Sequence, residues 1–199
     1  QNNYTEGLVY NNGFLFESTG LYGASQLIKT NLASGKVILA RKLPTQYFGK
    51  GVTFLNNRIY QLTLASNAGL IYDTDLFRAK KTIGIPSQGW GITTDGTNLI
   101  MSNGSAALVY IDPTTLQIKQ FFIAKVGTTP IAQLDDIQYV NGDIYAVVKN
   151  TNLIARISTQ TQQVTGWIDV NSINKSLMSI NKKFMLSGIA YNPKTKIFL

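Results

Sequence analysis

One recurring place in this sequence holds five side chains of different chemistry. Short phrases centred on a glycine or its substitute read Glu6-Gly7-Leu8, Lys50-Gly51-Val52, Trp90-Gly91-Ile92, Asp135-Asp136-Ile137 and Ser187-Gly188-Ile189. The residue ahead of the glycine is Glu6, Lys50, Trp90, Asp135 or Ser187. Carboxylates such as Glu6 and Asp135 can move protons, the Lys50 ammonium can hold them in ion pairs, and the Trp90 indole can stack on a ligand. The chain contains no His and no Cys. Ser-His-Asp catalysis, thiol chemistry and thiolate zinc sites are therefore excluded. Carboxylates, Lys, Tyr and backbone groups must carry whatever chemistry there is.

The spacing of those phrases says what positions them. From residue 7 to 51, 91, 136 and 188 the intervals are 44, 40, 45 and 52 residues. Strand-rich repeats of that length are the signature of propeller blades. Polar turns at Asn11-Asn12-Gly13, Asn56-Asn57, Asp95-Gly96-Thr97-Asn98 and Asn141-Gly142-Asp143 follow the first strand of each repeat, with Asn and Gly tolerating the positive φ of tight hairpins. The expectation is an all-β, five-bladed propeller forming a single domain over residues 1–199, with blades starting near 6, 50, 90, 135 and 187. A helical insertion is expected at about 171–181, where Ile173, Leu177, Met178 and Ile180 fall near helical spacing. The fifth repeat reaches only its second strand, so the last blade is expected to be incomplete. Its apolar edge, Lys196, Ile197, Phe198 and Leu199, should pair with a strand not contained in this sequence.

Composition narrows the partners. Apolar residues make up 44% of 199 residues, enough for a continuous core. Eighteen Lys and Arg against ten acids give a net charge of +8, but only Lys80-Lys81 and Lys182-Lys183 form pairs. That reads as a solvated surface rather than a nucleic-acid interface. No apolar run approaches a membrane span. The absence of an initiator Met and of a signal-like segment reads as a processed or trimmed chain. Asp135 and Asp136 are adjacent in a strand and should point apart, so no metal is expected there, and no cofactor is expected.

At Phe16-Glu17-Ser18-Thr19-Gly20-Leu21-Tyr22-Gly23 the pattern becomes more specific. Together with Glu6-Gly7-Leu8-Val9-Tyr10, Tyr47-Phe48-Gly49-Lys50-Gly51-Val52-Thr53, Gly89-Trp90-Gly91-Ile92-Thr93-Thr94-Asp95-Gly96 and Gly188-Ile189-Ala190-Tyr191, it resembles the plant and bacterial type of glutaminyl cyclase. The resemblance implies a five-bladed propeller that closes an N-terminal glutamine onto its own α-amine with release of ammonia, in an extracytoplasmic setting. It also implies a proton-shuttling glutamate in a Phe-Gly-Glu-Gly phrase. The helpers it implies are a Gln before the first Gly-Leu, the Trp of Gly-Trp-Gly, an Asn in a Leu-Asn-Glu phrase and a fourth-repeat Trp.

In this chain those places hold Lys50, Glu6, Trp90, Asp135 and, for the fourth-repeat Trp, Lys149 or a neighbour. The expectation drawn from these departures is a non-catalytic relative serving as a protein-binding or scaffold propeller. The alternative is an active cyclotransferase with a rearranged base, Glu6, one blade over. Trp90, Glu17 and Lys149 are the binding candidates, Glu17 being also suited to hold its adjacent turn. Lys50 is expected to pair with Glu6, Asp135 or both, which would raise its pKa and bar it from acting as a base.

Overall fold

The computed structural model describes residues 4–173 and 185–199. Four antiparallel four-stranded sheets follow one another along the chain. The first holds β1 (Thr5–Asn11), β2 (Phe14–Thr19), β3 (Gln26–Asn31) and β4 (Val37–Lys42). The second holds β5 (Gly49–Leu55), β6 (Arg58–Thr63), β7 (Ala68–Asp73) and β8 (Ala79–Gly84). The third holds β9 (Ile92–Thr94), β10 (Leu99–Ser102), β11 (Ala107–Ile111) and β12 (Ile118–Ile123). After a small hairpin of β13 (Lys125–Val126) and β14 (Thr129–Pro130), the fourth holds β15 (Leu134–Val140), β16 (Asp143–Val148), β17 (Leu153–Ser158) and β18 (Val164–Asp169). Each sheet pairs its strands in simple chain order, the meander of a propeller blade.

Local sequence explains the hairpins. Asn12 and Gly13, at φ 48° and 86°, and Asn141 and Gly142, at 50° and 92°, turn β1 into β2 and β15 into β16. Two successive positive φ angles match the right-handed twist of the flanking strands, and Asn-Gly reaches them at the lowest steric cost. Burial then falls from the first strand of a blade to the last. β5 is buried at nearly every position, whereas β8 in the same blade is exposed at all but one.

The core consists of seams between neighbouring blades. Val9, Phe16 and Leu27 of the first blade pack on Val52, Ile59 and Tyr72 of the second. Tyr60, Leu62 and Ile71 meet Ile92, Leu99 and Met101. Ile100, Leu108 and Tyr110 meet Leu134, Ile137 and Ile144. Each blade therefore buries one face on the next, and burying one such side chain stabilises by about 1.5–3 kcal/mol.

Five blades, the last incomplete, are expected from the repeats, and the described residues form four. In the fifth position are β19 (Tyr191–Asn192) and β20 (Ile197–Phe198), a two-stranded sheet of two-residue strands, too short to make a blade. This hairpin packs against the fourth blade through Ile189, Val147 and Ile154, with the Phe198 ring 4.6 Å from that of Tyr145. Residues 171–173 are helical. The rest of the expected helical insertion, to residue 181, lies outside the described residues. Among the described residues no helix is long and apolar enough to cross a membrane.

Candidate functional site

The five-chemistry slots lie where the first strands of the blades converge. In β1, β5 and β15 the pairing register shifts at the slot, between Thr5 and Gly7, Gly49 and Val52, and Leu134 and Ile137. Bulges of this kind re-aim side chains and are common beside functional sites. In the third blade Trp90 and Gly91 come just ahead of β9. The glycines let these segments touch. A Cβ on Gly7 would come within 2.7 Å of the Gly51 Cα, and one on Gly51 within 2.7 Å of the Gly91 Cα. A Cβ on Gly91 would come within 2.8 Å of the Asp136 Cα. Any side chain at these three positions would force the blades apart, because backbone cannot move aside as a flexible side chain can.

Contact between slots brings Glu6, Lys50, Trp90 and Asp135 together, with Lys149 from just beyond β16. The Lys50 ammonium is fully buried; it donates to Glu6 and, at 2.8 Å, to Asp135 Oδ1. Glu6 is 5% exposed and Asp135 2%. The Lys149 Nζ lies 3.4 Å from Asp135 Oδ2 and 4.4 Å from the centre of the Trp90 ring, while Lys50 Nζ is 5.3 Å from that ring. Burial disfavours the Lys50 charge, yet Asp135 and Glu6 together outweigh it and hold its pKa above the ordinary lysine value. Burial pushes the Glu6 carboxyl up, and Lys50 only partly opposes it. Lys50 is thus a held cation, and Glu6 is a carboxyl moved toward the pH range in which acid–base catalysts work.

Backbone and hydroxyl contacts fix these groups. The Gly51 N–H donates to the Trp90 carbonyl at 2.7 Å, and the Ser102 hydroxyl donates to the Asp135 carbonyl at 2.6 Å. Ser102 Oγ also accepts from the Gly91 N–H at 2.8 Å. Gly104, at φ 82°, lies under the indole; a Cβ there would come within 2.7 Å of the Trp90 ring. The Gly104 carbonyl accepts from the Gln133 N–H, whose own carbonyl accepts from the Lys149 N–H, both at 2.8 Å. One short chain of bonds therefore seats both Trp90 and Lys149.

Asp136 points elsewhere, as adjacency to Asp135 in a strand requires. Its Oδ2 accepts from the Leu8 N–H at 3.1 Å and the Ile189 N–H at 3.0 Å, and Gln138 Nε2 donates to the Leu8 carbonyl at 3.1 Å. Two side chains of β15 thus grip both polar groups of one β1 peptide position, tying the fourth blade to the first and to the segment before β19. Complete burial drives the Asp136 pKa well above the ordinary carboxylate value, against the opposing pull of those two N–H groups. A raised folded-state pKa contributes stability that is fully present below the unfolded pKa and is lost as pH rises through the folded value. Asp136→Asn should therefore flatten the loss of stability above the ordinary carboxylate range and match or exceed the wild type at pH 8. Asp136→Ala leaves two buried N–H groups without an acceptor and should cost about 2–4 kcal/mol. Urea unfolding of the three proteins at pH 5 and pH 8 measures both effects.

The Glu17 Oε1 accepts from the Thr5 hydroxyl on β1 at 2.6 Å. Among the described residues Ser187, the fifth slot, joins none of the ion pairs made by Glu6, Lys50 and Asp135. The sequence pattern marks Asp136 through its departure from glycine, but nothing in it marks Gln138, Ser102 or Gly104. Among the described residues no three His, Cys, Asp or Glu side chains gather as a metal group.

Comparison with known proteins places this geometry. The chain is 34% identical over 201 residues to the glutaminyl-peptide cyclotransferase of Arabidopsis thaliana, an alignment covering 98% of the chain and 63% of that relative. It therefore spans a little under two thirds of the curated relative's length. The crystal structure of Myxococcus xanthus glutaminyl cyclase superposes with a TM-score of 0.90 at 25% identity, covering 99% of this chain and 84% of that one. The WD40 propeller domain of Doa1 shares the fold alone, at a TM-score of 0.57 and 11% identity over 82% of this chain and 53% of that one. The all-β propeller and the residue phrases around its converging strands agree with a family-wide match over residues 1–199: the chain belongs to the glutamine cyclotransferase family.

Proposed function

We propose that this propeller is a glutaminyl-peptide cyclotransferase whose proton-transfer carboxylate is Glu6. The observation that carries the reading is the direct Glu6–Lys50 contact. The resemblance puts the shuttle glutamate in the slot held by Lys50. Glu6, one blade over, touches Lys50, so a carboxylate in its slot stays within the same bonded cluster.

In the proposed reaction the α-amine nitrogen of an N-terminal glutamine bonds to its own γ-carbonyl carbon. The bond from that carbon to the amide nitrogen breaks. Glu6 accepts the proton lost by the attacking nitrogen and returns it to the departing one, so ammonia leaves and pyroglutamate remains. Lys50 and Asp135 fix the Glu6 carboxyl, and Trp90 provides a stacking surface. Burial, which raises the Glu6 pKa, brings it closer to the operating pH of such a shuttle.

One observation favours a second reading, the non-catalytic binding module: Lys50 is fully buried and Glu6 nearly so. Mass spectrometry of Gln-initiated peptides incubated with the folded protein separates the two. Loss of ammonia from the peptide supports the cyclotransferase; an unchanged peptide over hours selects the binding module.

Completion of the fifth blade, and with it a five-bladed ring, belongs to the proposal. A further strand would pair along the free edge of β20 at residues 196–199, and slowed amide exchange there in the assembled protein would test it. An extracytoplasmic location is proposed on the same family grounds, and cell fractionation checks it.

A further inference from the structure

We propose that Lys149, resting on the Trp90 indole, is a recognition point for a carboxylate of the incoming peptide. This deepens the cyclotransferase reading by naming its substrate class, and rests on that reading only for turnover. Formally the two acids of the cluster balance its two lysines, but the distances divide them unequally. Glu6 and Asp135 Oδ1 both bond Lys50, which is sealed from solvent. Lys149 reaches Asp135 Oδ2 only at 3.4 Å, beyond the usual range of an N–H···O hydrogen bond. Its side chain is 29% exposed. Lys149 is thus the ammonium of the cluster that is both short of an acceptor and open to a ligand.

A second donor at the same corner lacks an acceptor. The Trp90 Nε1–H is enclosed and makes no hydrogen bond among the described residues. A buried donor without a partner costs free energy, so an acceptor oxygen that reaches the indole edge offsets that cost. The indole face beneath Lys149 also fixes the ammonium by a cation–π contact at 4.4 Å. A carboxylate supplies two acceptor oxygens and the compensating charge. The carboxylate can be the side chain of an acidic second residue or the C-terminus of a short peptide.

The test uses peptides that begin with norvaline and so cannot cyclise. Binding is read from indole fluorescence in a Trp167→Phe background, which leaves Trp90 as the reporter, since the chain has two Trp. One arm compares norvalyl-glutamyl-alanine amide with norvalyl-glutaminyl-alanine amide. The other compares norvalyl-alanine as free acid and as amide. In whichever arm contains the recognised carboxylate, the acid should bind about tenfold tighter. Lys149→Gln should close that gap, and Lys149→Arg should keep it. Equal affinities in both arms for the protein with Lys149 intact would overturn the proposal without any Lys149 variant, as would a gap that survives Lys149→Gln. A Lys149-dependent gap in a protein that never releases ammonia leaves the inference standing and removes the cyclotransferase reading. Turnover without a gap does the reverse.

Discussion

Replacing Glu6 by Gln is expected to lower kcat by roughly 100- to 10,000-fold, the usual contribution of a positioned acid–base group. The amide keeps an oxygen that can accept from Lys50, so the change removes the proton acceptor while keeping the shape. The substituted protein should retain its far-ultraviolet circular dichroism and cooperative melting, which separates chemistry from folding. A pH profile of kcat/KM adds an independent sign. Glu6 must be ionised to take a proton, and burial raises its pKa. The acid limb of the wild-type profile should therefore lie above the ordinary carboxylate range, and it should vanish with the residual activity of Glu6→Gln. Ammonia release at saturating and subsaturating peptide gives both constants.

Replacing Lys50 by Met is expected to destabilise the fold by about 3–5 kcal/mol, the cost of removing one partner from a buried ion pair. The mechanism is specific. Glu6 and Asp135 lie at 5% and 2% exposure, and both accept from the same ammonium. Without it, Asp135 keeps the Lys149 ammonium at 3.4 Å, but buried Glu6 loses the ammonium it bonds and must take a proton. Destabilisation should be largest at alkaline pH and should shrink toward pH 4, where protonation relieves it. Adding Glu6→Gln and Asp135→Asn to Lys50→Met should recover most of the loss, because neutral amides need no counter-charge. In the wild type the sign runs the other way at high pH. Lys50 has a raised folded-state pKa, so its contribution is complete below the ordinary lysine value of 10.5 and is lost as pH rises through the folded value. Denaturant titrations of wild type, Lys50→Met and the triple variant from pH 4 to 9 measure the relief at acid pH, and extending the wild type above pH 10.5 measures the loss of the Lys50 contribution.

Much of the architecture was legible because repetition multiplies weak signals. Asn12-Gly13 alone marks one turn, but the same turn after Glu6, Lys50, Trp90 and Asp135 fixes strand order in four blades. Gly188 marks the start of a fifth repeat, and the two strands expected after it form a hairpin, Tyr191 opposite Phe198 and Asn192 opposite Ile197, rather than a four-stranded blade. The β13–β14 hairpin carries no turn dipeptide beyond Gly127-Thr128 and was missed.

At the site, slot residues were found by position while their partners were not. Lys50 meeting both Glu6 and Asp135 follows from neighbouring blades. Contact between the Glu6 and Lys50 slots depends on Gly7 and Gly51, which let the backbones approach. Asp136 was read correctly as pointing away from Asp135, yet its bonds to Leu8 and Ile189 span 128 and 53 residues. No local pattern encodes a partner at that distance.

The shift of the carboxylate from the Lys50 slot to the touching Glu6 slot is tested by turnover of four proteins on one Gln-initiated peptide: wild type, Glu6→Gln, Lys50→Glu and the double variant. The account predicts that the wild type releases ammonia and that each single substitution silences it, the first by removing the base and the second by crowding three acids together. The double variant should recover activity well above either single one, since it restores one carboxylate and one amide to the pair. Undiminished turnover by folded Glu6→Gln would contradict the account, as would a folded wild type that releases no ammonia.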